Sequence, residues 1–406
     1  MSFARRYLLM LLMTTGLSLT GLNAEAVVSV QCPGDTNGDG ISDVAGIYCQ
    51  HLSGGDGFMR MADGRESLYI FGYSNLSAHP IAESLSYGSL AAQFAAPTLS
   101  FKEGDKVYLT LSNAGTLMRP DLFDPHTVHY HGFPNAASVY DGEPEASISI
   151  NPGSSMTYYY NLVEAGTFMY HCHVEAAEHM QMGMLGNLYV SPKQNTLAPG
   201  TNLNGYIHQA GNKYVYNDGD GSTRYDLEFP IQIGSMDPVF HDLHLGVQPL
   251  PFANMVDTYP MLNGRGYPDT VNPSPLPAPQ AKVEAGYPSA NVSSNPVSAL
   301  IEAPPNKKVL LRISNLNITN FYTVSAMGLT MKVVGTGAHI LKGPSGAPAY
   351  YDTNSVTIGG GEAVDVLIDT TGLASGSTYF LYSTNLNYLS NNTEDFGGMM
   401  TEIKIL

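Results

Sequence analysis

Short runs of alternating apolar and polar residues cover most of this chain, with turn residues between them. Lys106-Val107-Tyr108-Leu109-Thr110-Leu111 and Met156-Thr157-Tyr158-Tyr159-Tyr160 read as strands, and no long stretch carries a helical period. A polar, Gly/Asn/Asp-rich connector covers roughly 193–224, and a Pro-rich stretch at 271–305 reads as an insertion or long loop in the second half. The pattern predicts an all-β protein of two domains.

The two halves repeat each other. Lys106-Val107-Tyr108-Leu109-Thr110-Leu111-Ser112-Asn113 returns as Lys308-Val309-Leu310-Leu311-Arg312-Ile313-Ser314-Asn315. His126-Thr127-Val128-His129-Tyr130-His131-Gly132 returns as Tyr322-Thr323-Val324-Ser325-Ala326-Met327-Gly328, and Gly183-Met184 as Gly398-Met399. Similar segments in the same order indicate a duplicated sandwich. The first copy has histidines where the second has Tyr, Ser and Met.

Composition narrows the function classes. The chain has 406 residues with 18 Lys+Arg against 35 Asp+Glu, a formal net charge of −17. An acidic surface argues against nucleic acid as a partner, because phosphate binding needs clustered cations. Hydrophobic residues at 43% exclude a disordered acidic tail. At the N-terminus, Arg5 and Arg6 precede the apolar run Tyr7–Met13, and Ala24-Glu25-Ala26 offers a cleavage site. This reads as a signal peptide over 1–26, too short in its apolar core to be a span. The Arg pair fits either an ordinary or a twin-arginine signal. The expected location is periplasmic or secreted.

An exported chain tends to pair its thiols, and this one has three cysteines. Cys32 and Cys49 flank a polar loop and are expected to form a disulfide, which leaves Cys172 unpaired. Between the pair, Asp35, Asn37, Asp39 and Asp43 stand at positions 1, 3, 5 and 9 of a calcium-loop pattern with Gly40 at 6, but position 12 is Gly46. A structural calcium site and a solvated turn both fit.

The histidines carry the chemistry. Six of 12 fall in His126-x-x-His129-x-His131 and in His171-Cys172-His173 followed by His179, with Met184 beyond. Residues two apart on a strand share a face, so His129 and His131, and His171 and His173, are expected to present four imidazoles to one side. Cys172 then faces the other side, where His126, His179 and Met184 join it. A thiolate, two imidazoles and a weak thioether make a blue-copper electron-transfer site, and clustered imidazoles suit further copper. Tyr130, Tyr170 and Met182 are expected to pack the core.

These segments resemble the multicopper oxidase family, whose domains are cupredoxin sandwiches. His126-Thr127-Val128-His129-Tyr130-His131-Gly132 resembles its H-x-x-H-x-H-G motif, and His171-Cys172-His173…His179…Gly183-Met184 its H-C-H-x-x-x-H-x-x-x-G-M motif. The resemblance implies two cupredoxin-like Greek-key sandwiches, the second without copper ligands. It implies type 1 copper on His126, Cys172, His179 and Met184, type 2 copper at His129, and a type 3 pair at His131, His171 and His173. A blue site in the first of two domains is similar to two-domain laccases and copper nitrite reductases.

Two features depart from that pattern. Five residues, Val174 to Glu178, separate His173 from His179 where the family usually has three. An oxygen-reducing trinuclear cluster takes eight imidazoles, and this chain supplies four. Tyr382, Ser383 and Thr384 stand where the first copy has His171, Cys172 and His173. His129 sits where nitrite reductases have an active-site Asp. Three functions stay open: an oxidase that completes its cluster in a homo-oligomer or with a His-rich partner subunit, a blue-copper carrier or copper-binding protein without oxygen chemistry, and a nitrite-reductase-like enzyme. The implied electron donor is a phenol, a metal ion or a redox protein. The expected organisation is 1–26 signal peptide, 27–58 disulfide loop with the calcium-like pattern, 59–192 copper-binding sandwich, 193–224 linker and 225–406 second sandwich.

Overall fold

The computed structural model describes residues 28–133 and 137–406. The expected signal peptide lies outside those residues. The first half contains β1 (Ile47–Met59), β2 (Leu68–Asn75), β3 (Leu99–Lys102), β4 (Lys106–Gly115), β5 (His129–His131), β6 (Ser155–Asn161), β7 (Gly166–His171) and β8 (Leu185–Ser191). They form two four-stranded sheets in the orders β2-β1-β4-β6 and β3-β8-β7-β5. Leu109, Leu111 and Tyr158 from the first sheet meet Phe168, Tyr170 and Leu188 from the second in one buried core. Tyr170 packs there as expected, its hydroxyl donating to Pro97 O at 2.6 Å, and Tyr130 and Met182 are buried too.

The second half repeats this topology. Leu227–Met236 runs parallel to Lys308–Asn315 as β1 runs parallel to β4. Ile301–Ala303 runs parallel to Met400–Ile405 as β3 runs parallel to β8. Tyr322–Ala326 pairs with Thr378–Ser383 as β5 pairs with β7. The register agrees residue by residue: His129 faces His171 across the strands, and Ser325 faces Tyr382. The molecule is all-β, two Greek-key sandwiches with few and short helices.

One expected boundary changes, and one segment is better ordered than expected. β1 is a central strand of the first sandwich, so that sandwich begins before residue 59. Its first residues follow the disulfide loop directly, and the alternation over 47–53 was hidden in what reads as loop sequence. The stretch 193–224 is a connector, but a packed one. It folds into a short 3-10 turn and β-hairpin pieces, and Val215 and Tyr216 bury against Leu310, Val334 and Leu367 of the second sandwich.

The sandwiches meet along a polar seam. Arg312, fully buried, donates to Glu228 Oε2 at 3.0 Å and to Thr167 Oγ1 at 2.9 Å, and Thr167 donates to Asp365 Oδ1 at 2.6 Å. A buried charge is tolerated only when paired and hydrogen-bonded, as here. The Pro-rich insertion reaches back onto the first sandwich, where Ser294 O accepts from Phe94 N at 2.8 Å and Ser289 donates to Ser89 O at 2.7 Å.

Candidate metal centres

Strand pairing builds the first centre. Cys172 follows β7, and its N–H donates to Met184 O at 3.1 Å just before β8. The five residues between His173 and His179 fold back as part of the turn and helix Ala176–Met182. That helix ends by donating Met184 N to His179 O at 2.9 Å, which brings His179 and Met184 to the same pocket. His126 is fixed from the other side by a two-bond bridge with Ile150. The outcome is His179 Nδ1 at 3.1 Å from Cys172 Sγ, with the His126 and His179 rings 5.2 Å apart. His126, Cys172 and His179 offer ligand atoms within 4.8 Å of one another, all fully buried. Met184 reaches the same space. A Cβ built on Gly54 of β1 would lie 3.1 Å from His126 Cδ2 and 3.3 Å from Met184 Cε, so the glycine leaves room for both.

The electrostatics suit a soft cation. Burial raises the Cys172 thiol, but the imidazoles of His179 and His126 outweigh it and bring the thiol down to about 5. Thr127 N–H points at Sγ from 3.4 Å. His179 Nε2 lies 3.1 Å from Asp124 Oδ1, a buried carboxylate that fixes the ring so that Nδ1 turns toward sulfur. Both nitrogens of His126 are buried without a hydrogen-bond partner among the described residues. An orphaned imidazole beside a thiolate, a second imidazole and a thioether fits copper.

The second centre lies on the opposite side of Cys172. His129 and His131 alternate with buried Tyr130 along β5 and so share a face. His171 joins them across the β5–β7 pairing. The ring centroids of His129 lie 5.4, 5.3 and 4.9 Å from those of His131, His171 and His173. Three of the rings are locked by carbonyls at Nδ1: His129 by Asp141 O at 2.7 Å, His171 by Cys172 O at 2.8 Å and His131 by Gly361 O at 3.3 Å. A carbonyl can only accept, so each Nδ1 carries the proton and each Nε2 presents a lone pair. The Nε2 atoms of His131 and His171 then face each other at 3.0 Å, two acceptors that a shared cation would satisfy. His129, His131 and His171 offer ligand atoms within 4.8 Å. His173 completes the four, its N–H donating to Thr127 Oγ1 at 3.0 Å.

This cluster opens on a cleft of about 520 Å³ against the second sandwich. Asn317, Thr319, Asn320, Phe321 and Gly360–Gly361 form the far wall. Amides, a hydroxyl and glycines stand there, and no imidazole.

The N-terminal loop differs. Cys32 and Cys49 are joined and Cys172 is free. Asn37 donates to Asp39 Oδ2 at 3.0 Å, and the carboxylates of this loop accept from its backbone. Asp35 accepts from Gly38 N and Gly40 N, Asp39 from Ile41 N, and Asp43 from Thr36 N. Their oxygens hold the loop's own backbone, the arrangement of a solvated turn.

Sequence reasoning missed several residues. Asp124 stands two residues before His126 and was visible as an acid beside the motif. Gly54 and Gly361 reach the centres only through long-range packing, which no local spacing encodes.

Two family models, both described as multicopper oxidase, match residues 83–195 and 255–403. The chain belongs to the multicopper oxidase family. Among its relatives, a multicopper oxidase of Talaromyces pinophilus is 35% identical over 27% of this chain and 17% of its own length. Laccase-2 of Cryptococcus neoformans var. grubii is 23% identical over 70% of this chain and 41% of its own. The chain thus spans less than half the length of these curated relatives. Among solved structures, a blue copper oxidase from Nitrosomonas europaea superposes with a TM-score of 0.61 at 20% identity, covering 87% of this chain and 85% of that one. A copper nitrite reductase from the same organism gives 0.53 at 15%, covering 88% and 93%. The shared fold is a pair of cupredoxin-like sandwiches. The family's motifs lie in the first sandwich, and in the described residues no helix is long and apolar enough to cross a membrane.

Proposed function

We propose that this chain is an exported, copper-dependent oxidoreductase of the multicopper oxidase type. His126, Cys172, His179 and Met184 hold a type 1 copper, and His129, His131, His171 and His173 are half of a type 2/3 ligand set. The observation that carries the reading is the buried thiol of Cys172 at hydrogen-bonding distance from His179, beside the unpartnered His126. Copper bound there would supply one-electron redox chemistry. The protein's own part is to keep Cys172 a thiolate, to orient His179 through Asp124, and to exclude water from a fully buried pocket. Cys172 is joined by peptide bonds to His171 and His173, so one short stretch of chain serves both centres.

Four imidazoles cannot satisfy a trinuclear cluster, and the far wall of their cleft carries no histidine. Oxygen reduction therefore needs a second histidine-bearing face, from first domains meeting in a homo-oligomer or from a His-rich partner subunit. The same wall favours the second reading, a blue-copper carrier without oxygen chemistry. Metal analysis with absorption and electron paramagnetic resonance spectra separates them. One blue copper per chain and no oxygen uptake supports the carrier. Additional coupled copper, with oxygen uptake confined to assembled fractions, supports the oxidase. One blue and one isolated type 2 copper supports a nitrite-reductase-like site. A colourless copper-loaded protein, or a strictly monomeric one that reduces oxygen rapidly, refutes the proposal.

A further inference from the structure

The second sandwich brings no imidazole to the four-histidine cluster, yet one of its turns touches it. The repeat shows how that turn is built. In the first sandwich Asn113 anchors the turn before β6: its amide donates to Ile150 O at 2.8 Å, and its carbonyl accepts from Gly153 N at 2.9 Å. In the second, the Asn315 amide donates to Ile358 O at 2.9 Å, and its carbonyl accepts from Gly361 N at 2.8 Å. Ser112 pairs with Ser155 as Ser314 pairs with Ala363, so Gly359, Gly360 and Gly361 stand where the first copy has Asn151, Pro152 and Gly153. The glycines let the second turn close tightly. A Cβ on Gly359 would lie 2.6 Å from Phe321 Cε1, and one on Gly360 2.3 Å from Asn317 O. Gly361 has φ +84°, and a Cβ there would lie 2.9 Å from His131 Cε1 and 3.1 Å from its Nδ1. At the same place Gly361 O accepts from His131 Nδ1 at 3.3 Å. The strand Glu362–Asp369 that follows is tied to β7, which ends in His171, because Thr167 Oγ1 donates to Asp365 Oδ1 at 2.6 Å.

We propose that Gly361 is a positioning residue for the four-imidazole centre. Its carbonyl fixes the Nδ1–H tautomer of His131, and its missing side chain leaves the ring room to bring Nε2 to His171 Nε2. An unconstrained neutral imidazole carries its proton mostly on Nε2. With the proton there, the nitrogen facing His171 would be a donor and could not take a metal. The carbonyl disfavours that state. The second sandwich thus serves the centre with a backbone acceptor, delivered by a turn that only glycine allows so close. The effect on metal affinity rests on the reading of these imidazoles as copper ligands, whereas the effect on His131 itself does not.

The test has two arms on the full chain and compares Gly361→Ala with Gly346→Ala. Gly346 has the same left-handed backbone, φ +79°, with nothing within 4 Å of its Cβ position, so it reports backbone strain alone. In the metal-free protein in mildly alkaline buffer, NMR of nitrogen-labelled histidine reads the tautomer of His131, whose signals His131→Gln removes. The wild type and Gly346→Ala should show Nδ1–H, and Gly361→Ala should shift the population to Nε2–H. A wild type with Nε2–H, or an unshifted Gly361→Ala, overturns the positioning role. In the copper-loaded protein, equilibrium dialysis against copper(II) counts the copper that is not blue. Gly361→Ala should weaken its binding roughly 10–100-fold and leave the blue band unchanged. Gly346→Ala should change neither. Equal affinity in wild type and Gly361→Ala overturns the effect on the metal. Asn315→Ala removes the amide that holds Ile358 O, loosens the turn without a clash, and should act in the same direction more weakly. It decides the question if Gly361→Ala does not fold. A wild type that binds no copper beyond the blue one refutes the copper reading of the four histidines, and the tautomer arm still decides the role of Gly361.

Discussion

The Cys172 pocket and its counterpart in the second sandwich occupy the same place in the same topology. The register that sets His129 opposite His171 sets Ser325 opposite Tyr382. By that register Tyr322 replaces His126, Ser383 replaces Cys172, and Met399 keeps the place of Met184. Tyr322, Ser383 and Met399 are all buried. The hydroxyls of Tyr322 and Ser383 have no hydrogen-bond partner among the described residues. The fold thus builds the same buried position whether or not ligands occupy it. Only the side chains decide whether a metal could be held, and the thiolate decides which metal. The second sandwich also contributes to the other centre without ligands of its own: its segment Asn317–Phe321 walls the cleft on which the four-histidine cluster opens.

The sharpest way to break this contrast is to erase its decisive atom. Cys172→Ser makes the first pocket resemble the second at that position. The blue thiolate-to-copper absorption should vanish entirely while the far-ultraviolet circular dichroism stays unchanged, because serine fits the space. A variant that retains the blue band would remove Cys172 from the site. The reverse change, Ser383→Cys alone, should not create the colour, since Tyr322 occupies the place of the first imidazole.

A smaller effect is expected from the residue that orients a ligand without being one. Asp124 has no counterpart in the ligand motif, yet its carboxylate lies 3.1 Å from His179 Nε2. Asp124→Asn removes the charge and keeps the shape. The expected loss is roughly 10–100-fold in copper affinity with the blue band shifted but present, the usual range for a group behind a ligand. Competition with a copper chelator measures the first and the visible spectrum the second. Unchanged affinity and spectrum would make Asp124 a bystander.

How much of this was legible beforehand follows from how local each feature is. The candidate ligands lie just before and on β5, on β7 and its extension, on the short helix that follows and just before β8, so strand alternation and motif spacing exposed them. The blank second pocket was legible because Lys308–Asn315 and Gly398–Met399 align the repeat. The membership of β1 was not, because a strand that begins at the end of a disulfide loop gives too few alternations to stand out. The helix around His179 has only seven residues, Ala176–Met182, shorter than the window in which a helical period shows. Gly361, whose carbonyl holds His131 from 230 residues away, carries no signal at all in a linear reading. Asp35 and Asp39 sit between these cases: their spacing fits a cation loop or a solvated turn, and their carboxylates accept from backbone N–H groups within their own turn.

The smallest expected effect tests the ligand-free counterpart itself. Ser383 Oγ is buried with no partner, so it bears the desolvation cost of a hydroxyl and recovers nothing. Ser314 is equally buried, but its hydroxyl donates to Asn187 Oδ1 at 2.6 Å across the seam between the sandwiches. The same substitution should therefore have opposite signs at the two sites. Ser314→Ala breaks a pair and leaves an acceptor exposed to nothing, and it should cost about 1 kcal/mol or more. Ser383→Ala removes an unpaired group at the expense of a void smaller than a methyl, and it should be neutral or stabilising by up to about 1 kcal/mol. Urea unfolding of the copper-free protein measures both. If Ser383→Ala destabilises as much as Ser314→Ala, the hydroxyl has a partner in solution. The second pocket would then be a satisfied polar site, and its likeness to the first would end at the backbone.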